Sequence, residues 1–167
     1  DFINNKLFKG LKELPVVAAK DPFDYIFSIA NKKILSNKIL KLPNKLAINF
    51  HNAPLPKYAG AHPSTWAILN GEKQFGITWH IMSDLIDGGD ILSQKIIEIN
   101  EEDTTATLNI KCYNTAIETF KILVEDLINE NIIRTKQQLS KRSYFTANAK
   151  PIGNGIISWT NNAEEIY

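Results

Sequence analysis

The sequence predicts an α/β fold, an open and mostly parallel sheet with flanking helices. Three observations carry this. Asp24 to Ala30 (DYIFSIA) and Leu46 to Phe50 (LAINF) are short runs, apolar nearly throughout, as strands buried on both faces are. The segment between them, opened by Ser36 and closed by Pro43, reads as a short helix. After Asp103 comes a long stretch whose apolar residues recur at fours and threes, the mark of a helix with one face laid on a sheet. Strand, helix and strand in that order imply a right-handed parallel crossover.

In chain order, Asp1 to Lys6 reads as the tail of a helix. Leu14 to Ala18 (LPVVA) reads as a strand, placed at an edge or a strand start by Pro15, which has no N–H for a ladder. Lys20-Asp21-Pro22 breaks the pattern. After the strand Asp24 to Ala30, Asn31 to Leu35 forms a loop, and Ser36 caps a helix reaching about Leu42. The strand Leu46 to Phe50 leads to a proline-rich loop. Pro63 suits the first turn of a helix through Trp66, Ile68 and Leu69, which Asn70-Gly71 ends. Phe75 to Met82 and Ile91 to Ile99 are strands joined by the Asp84 to Asp90 loop.

Asp103 or Thr104 caps the long helix, whose stripe is Leu108, Cys112, Ala116, Phe120, Leu123 and Leu127, with Glu118, Lys121 and Glu125 off it. Asn129 to Asn131 ends it. From Ile132 to Gly155 the chain is polar and irregular, a linker-like segment laid across the domain surface. Ile156 to Trp159 reads as a final short strand. Asn161 with Glu164 three later has a capping-box spacing. The domain is therefore expected over 1–131, with 132–167 as linker and the start of a C-terminal subdomain. Asp1 as first residue and a helix barely begun at Tyr167 lead us to expect a chain cut at both ends.

The 167 residues suffice for one domain with a proper core, and 44% hydrophobic with 22% charged residues is ordinary for a globular protein. A net charge of +1 offers no basic field for bulk nucleic-acid binding. The single cysteine, Cys112, excludes an internal disulfide and fits a reducing cytoplasmic setting. No apolar run approaches the roughly 20 residues that span a bilayer.

Chemistry concentrates between Ile48 and Asp90, which holds all three histidines. A buried strand stops in Asn49-Phe50-His51, and open α/β sheets build sites at such strand ends. Asn49 and His51 are two apart, so in an extended segment they point the same way. Pro54, Pro56, Gly60 and Pro63 stiffen the loop that follows. The second strand runs into Ser83-Asp84-Leu85-Ile86-Asp87-Gly88-Gly89-Asp90, an acidic loop whose glycines allow close backbone approach. An Asn amide can donate to a developing oxyanion, a His can move protons near neutral pH, and an Asp can orient the His and raise its pKa. No Ser or Cys nucleophile sits beside His51, which favours direct attack by a substrate group over a covalent acyl-enzyme.

Blander readings compete. Asn49 and His51 can simply cap a strand end. Asp84, Asp87 and Asp90 do not have the alternate spacing of an EF-hand loop. His51, His62 and His80 include no His-Glu-x-x-His pattern, so no metal is expected. His80, next to Trp79, reads as structural, holding the loop that carries Asp87. No Gly-x-Gly-x-x-Gly stretch supports a nicotinamide cofactor.

Asn49-x-His51, Leu55-Pro56-Lys57-Tyr58-x-Gly60, Trp66-Ala67-Ile68, Gly71-Glu72, Gly76-Ile77-Thr78-x-His80 and Asp87-x-Gly89-Asp90, in this order, resemble the core of the 10-formyltetrahydrofolate-dependent formyltransferases. The likeness runs from about Phe23 to the end of the chain. It is greatest to the formyltransferase modules that open some nonribosomal peptide and hybrid synthetases, through Asn49 to Pro56, Thr78-Trp79-His80 and Leu108-Asn109-x-Lys111-Cys112-Tyr113. Methionyl-tRNA formyltransferases are also similar.

The resemblance implies a Rossmann-like catalytic domain with Asn49, His51 and Asp87 as the catalytic trio. It implies 10-formyltetrahydrofolate as formyl donor, its pterin held by backbone groups of Lys33, Leu35, Ser83, Asp84 and Asp87 between apolar walls from Ile34, Leu40 and Ile86. The expected acceptor is a primary amine of an aminoacyl group on a carrier protein. Alternatives are methionyl-tRNA, an amino-sugar nucleotide, hydrolysis of the donor by water, and a folate-binding module without activity. Two departures bear on the acceptor side: Asn52-Ala53 stands where many relatives have Pro-Ser, and Ala59 where an Arg often follows the Tyr.

Overall fold

The computed structural model describes residues 22–31 and 33–166. The expected helix tail at Asp1 to Lys6 and strand at Leu14 to Ala18 lie outside them. Four strands form the main sheet in the order β1 (Tyr25–Ser28), β2 (Leu46–His51), β4 (Gln74–Ile81), β5 (Ile91–Glu98). Between β1 and β2 lies α1 (Asn37–Leu40). Between β2 and β4 lie the two-residue strand β3 (Ala59–Gly60) and α2 (Pro63–Leu69). The long helix α3 (Thr105–Ile128) follows β5.

The sheet is open and flanked by helices, as expected, but among the described residues it is mixed rather than mostly parallel. β1 and β2 pair in parallel through the α1 crossover, whereas β2 with β4 and β4 with β5 are antiparallel. The reason is legible in the connections. β4 and β5 are joined by a nine-residue loop, too short for a parallel crossover. The apolar run of β4 is buried along almost its whole length, and such a run reads the same in either direction.

Period-two alternation divides the central strands. Ile48 and Phe50 of β2 lie on one face with Trp79 of β4; the Phe50 and Trp79 rings are 5.2 Å apart. α3 covers this face. Its Phe120 ring lies 5.2 Å from Trp79, and Trp79 Nε1 donates to Thr119 Oγ1 at 3.0 Å. Leu108, Cys112, Ala116, Leu123 and Leu127 are buried and Phe120 half-buried, the predicted stripe. Thr104 is the α3 cap, accepting from the Thr107 N–H and returning its own N–H to the Thr107 hydroxyl. The opposite face of β2 and β4 therefore carries Asn49, His51, Thr78 and His80, with Asn49 opposite His80 and His51 opposite Thr78.

Ser36 sits at the α1 N-cap without a side-chain cap bond, and that helix stops two residues short of Leu42. The expected strand at Ile156 to Trp159 is not formed. That stretch is exposed, with no ladder partner among the described residues, and it follows a turn with left-handed Gly153 and Asn154. The linker-like segment instead contributes β6 (Tyr144–Phe145), which pairs in parallel with β3. Thr135 also exchanges backbone hydrogen bonds with Ile91 at 2.8 and 2.9 Å.

Candidate active site

Asn49, His51 and Asp87 converge, and His80 joins them. Asn49 and His51 come from the end of β2 and His80 from the end of β4. Asp87 comes from the 82–90 loop, which folds back over the polar face of these strands. His51 Nδ1 lies 3.6 Å from Asp87 Oδ2, and His80 Nε2 lies 3.5 Å from Asp87 Oδ1. Asn49 Nδ2 lies 3.2 Å from His80 Nε2. The side chains of His51 and Asp87 are only 9% and 11% exposed, so their charges meet little water.

Hydrogen-bond partners fix the tautomers. His51 Nε2 faces the Tyr58 carbonyl at 2.9 Å, so it carries the proton and leaves the Nδ1 lone pair toward Asp87. His80 Nδ1 faces the Ile81 carbonyl at 2.9 Å and donates to it, and its Nε2 lies between the Asn49 carboxamide at 3.2 Å and Asp87 Oδ1 at 3.5 Å. The Asn49 carboxamide is thereby oriented by the His80 ring. His80 does more than hold the Asp87 loop. It also sets the Asn49 carboxamide, a role a β-strand position beside a tryptophan does not reveal in one dimension.

Burial pushes the His51 imidazole below its ordinary range, against the opposing pull of the Asp87 charge and the Tyr58 carbonyl. Asp87 pulls the His51 value up, as expected, but desolvation outweighs that pull and the net direction is down, so His51 rests neutral at about pH 7. Burial also opposes ionisation of Asp87, but its contacts with His80 and His51 and the Gly60 N–H at 2.8 Å outweigh it. The carboxyl titrates below its usual range. Asp87 itself adopts a left-handed φ of 52°, and Gly89 lies so close to Ile81 O that a Cβ would sit 1.9 Å away. Glycine at 89 is required by that close approach.

The expected donor-contacting positions fall on two loops. Lys33, Ile34 and Leu35 follow β1, which runs beside β2 with Ser28 opposite Asn49. Ile34 is 82% exposed. The backbone N–H and C=O of Lys33 are both engaged by the Asn31 side chain, at 3.0 and 2.9 Å. Ser83, Asp84 and Ile86 are exposed on the second loop, and the Ser83 hydroxyl donates to Leu85 O. Leu40 is half-buried in α1. His62, exposed, precedes α2. Ala59, where relatives often carry Arg, is fully buried against β6. Asn52 turns to α3 and donates to Asn109 Oδ1 at 2.7 Å.

A family model described as formyl transferase matches residues 10–125. The chain belongs to the formyl transferase family. It is 39% identical over 166 residues to the bifunctional polymyxin resistance protein ArnA of Wigglesworthia glossinidia brevipalpis, covering 97% of this chain and 24% of that protein. It is 38% identical over 146 residues to the methionyl-tRNA formyltransferase of Thermodesulfovibrio yellowstonii, covering 86% and 46%. Among solved structures it resembles an N-formyltransferase from Helicobacter canadensis in complex with folinic acid and dTDP-3-aminofucose. There the TM-score is 0.74 and the identity 33%, covering 84% of this chain and 51% of that one. The chain spans about a quarter to a half of the length of the curated relatives it matches.

The expected carrier-protein acceptor and its peptide-synthetase setting find no support among these relatives, whose names and ligands point to methionyl-tRNA and a nucleotide-linked amino sugar. Among the described residues no helix is long and apolar enough to cross a membrane.

Proposed function

We propose that the protein transfers a formyl group from 10-formyltetrahydrofolate to the primary amine of a nucleotide-linked amino sugar. The observation that carries the chemistry is the contact chain Asn49, His80, Asp87, His51, with links of 3.2, 3.5 and 3.6 Å. The bound folinic acid and dTDP-3-aminofucose of the Helicobacter canadensis relative support the donor and acceptor classes. Methionyl-tRNA is the second reading, favoured by relatives 38% and 37% identical. The near-neutral charge favours the smaller acceptor, since tRNA binding draws on a basic surface.

The amine nitrogen bonds to the formyl carbon, and the carbonyl oxygen becomes an oxyanion that accepts from the Asn49 amide. Neutral His51 takes a proton from the attacking nitrogen at Nδ1, and ionised Asp87 stabilises the imidazolium so formed. As the bond from carbon to the donor's N10 breaks, that proton passes to N10, so atoms and charge balance. Lys33, Ile34, Leu35, Ser83, Asp84, Ile86 and Asp87 are the proposed donor-contacting residues. The uncovered apolar side chains of Ile34 and Ile86 suit a flat heterocycle.

The test supplies 10-formyltetrahydrofolate with a panel of amines: a dTDP-linked 3-amino sugar, methionyl-tRNA and an aminoacyl carrier protein. A no-amine control measures hydrolysis. N-formylation of the sugar nucleotide is expected. Turnover only with methionyl-tRNA or only with the carrier protein replaces the acceptor, and folate release in the control alone makes the protein a hydrolase.

A further inference from the structure

The segment after α3 grips both halves of the candidate site. Gln137 Nε2 donates to Asp87 O at 2.9 Å and to Gly89 O at 2.7 Å, straddling the turn that presents the carboxylate. The Arg142 guanidinium donates to Ile86 O at 2.9 Å. Ile86, Asp87 and Gly89 are thus held through their backbone carbonyls by side chains about 50 positions downstream. The same segment holds the loop that receives His51. Ser143 Oγ accepts from the Tyr58 N–H at 2.7 Å, Ser143 O from Ala59 at 3.0 Å, and Phe145 O from Ala61 at 2.8 Å. Tyr58 O is the acceptor for His51 Nε2, and Gly60 N–H, within this stretch, donates to Asp87.

The Gln137 amide has no slack in this role. Its donor end faces two carbonyls, while Oε1 is buried with no protein partner. A flipped amide would set oxygen against two oxygens. Asp87, in its left-handed conformation, has no regular ladder of its own to keep the carboxylate near His51.

We propose that Gln137, seconded by Arg142, is a positioning residue that sets the distance between the Asp87 carboxylate and the His51 imidazole. This rests on the formyl-transfer reading for its kinetic consequence, though not for its geometric one. A shift of about 1 Å in such a pair costs up to roughly a hundredfold in rate.

The experiment compares Gln137→Ala, Gln137→Glu and Arg142→Ala with the parent protein, and uses Gln138→Ala, at an exposed neighbour, as control. Two quantities are read: kcat and KM for 10-formyltetrahydrofolate with the acceptor found in the panel, and the His51 titration midpoint followed by imidazole NMR. Gln137→Ala is expected to lower kcat roughly tenfold to a hundredfold with KM nearly unchanged. The His51 midpoint moves down as the Asp87 charge recedes. Gln137→Glu, of the same shape but presenting oxygen to two carbonyls, loses more than Gln137→Ala; Arg142→Ala loses less; Gln138→Ala loses nothing. An unchanged kcat or an unchanged midpoint in Gln137→Ala overturns the proposal. Should Gln137→Ala not fold, Gln137→Met, which keeps the stem and removes the donors, is read by the same two quantities. Failure of that variant to fold makes the role structural and also overturns it. If the parent transfers no formyl group to any amine, the functional reading fails, and the His51 midpoint alone decides the positioning role.

Discussion

Asn49 and His80 are register partners across the antiparallel β2–β4 pair, and their side chains meet on its polar face with Nδ2 and Nε2 3.2 Å apart. The carboxamide is thus aimed by a ring that is itself pinned to the Ile81 carbonyl. His80→Leu should lower kcat roughly tenfold to a hundredfold by releasing the Asn49 amide, while affinity for the formyl donor changes less. A double-mutant cycle checks it. Asn49→Ala in the His80→Leu background should cost much less than in the parent, because the two act as a unit. Full additivity would separate them.

His51 and Asp87 should each be indispensable to turnover and nearly dispensable to folding. His51→Ala and Asp87→Asn are expected to lower kcat by about 10²- to 10⁴-fold, the range for a positioned acid–base group. Far-ultraviolet circular dichroism should stay that of the parent. Asp87→Asn is the more telling, since it keeps an acceptor for the Gly60 N–H and removes only the charge. Near-parental rates in it would leave the carboxylate without its proposed task.

Acid should reduce both activity and stability, in a defined order. The His51 imidazole titrates below its unfolded value because burial disfavours its cation. Its contribution to stability is therefore complete above about pH 6.5 and is lost as pH falls through the lower folded value. The Asp87 carboxyl also titrates below its unfolded value, so its contribution persists above about pH 3.9 and is lost below that. Chemical denaturation at a series of pH values should show stability falling from neutrality downward. The acidic limb of kcat/KM should have its midpoint below the ordinary imidazole range. A limb above it would mean that Asp87, not desolvation, governs His51.

What could be read in one dimension was the part governed by periodicity. The α3 stripe from Leu108 to Leu127, a cap at Asp103 or Thr104, of which Thr104 serves, and strand β2 with its polar end all follow from local spacing and capping chemistry. The Asn49/His51 pair was legible because alternate residues of a strand share a face. What escaped has a physical reason in each case. Strand direction escaped because the buried run of β4 carries no sign of parallel or antiparallel partners. His80 escaped as an orienter of Asn49 because their meeting depends on register, which the sequence around either residue does not state. Strand β6 is two residues long and pairs with residues about 85 positions earlier, so no local pattern announces it. Gln137 sits in a polar stretch that reads as linker until its amide is seen between two carbonyls. The net downward shift of His51 escaped because a charge partner can be read from the sequence and the depth of burial cannot.

Thr78 is the hidden brace of the loop after His51. Wholly buried, its hydroxyl donates to Ala53 O at 2.7 Å and accepts from the Leu55 N–H at 3.1 Å and from Gln94 Nε2 at 2.8 Å. Thr78→Val keeps the shape and removes three buried hydrogen bonds, leaving the Leu55 N–H bonded only to Ala53 O and Gln94 Nε2 only to Leu55 O, so it should destabilise the fold by about 1–3 kcal/mol. A change of less than about 0.5 kcal/mol in the unfolding free energy would mean that water replaces the hydroxyl.

Cys112 supplies a probe of the helix–sheet interface. It lies on the buried face of α3, fully shielded, and burial pushes its thiol up to about 12. A thiolate is the reactive species, so in the native protein at pH 8 the residue should resist alkylation almost completely. Reactivity should appear only as α3 separates from the sheet, with a denaturant dependence matching global unfolding. Replacing Leu108 or Leu123 by Ala, both fully buried neighbours on the same stripe, should raise the labelling rate by weakening that interface, at a cost of about 2–5 kcal/mol each. Labelling at low denaturant without loss of the sheet signal would show that α3 opens independently. The face beneath it, bearing Phe50 and Trp79, would then be more mobile than the polar face that carries the site.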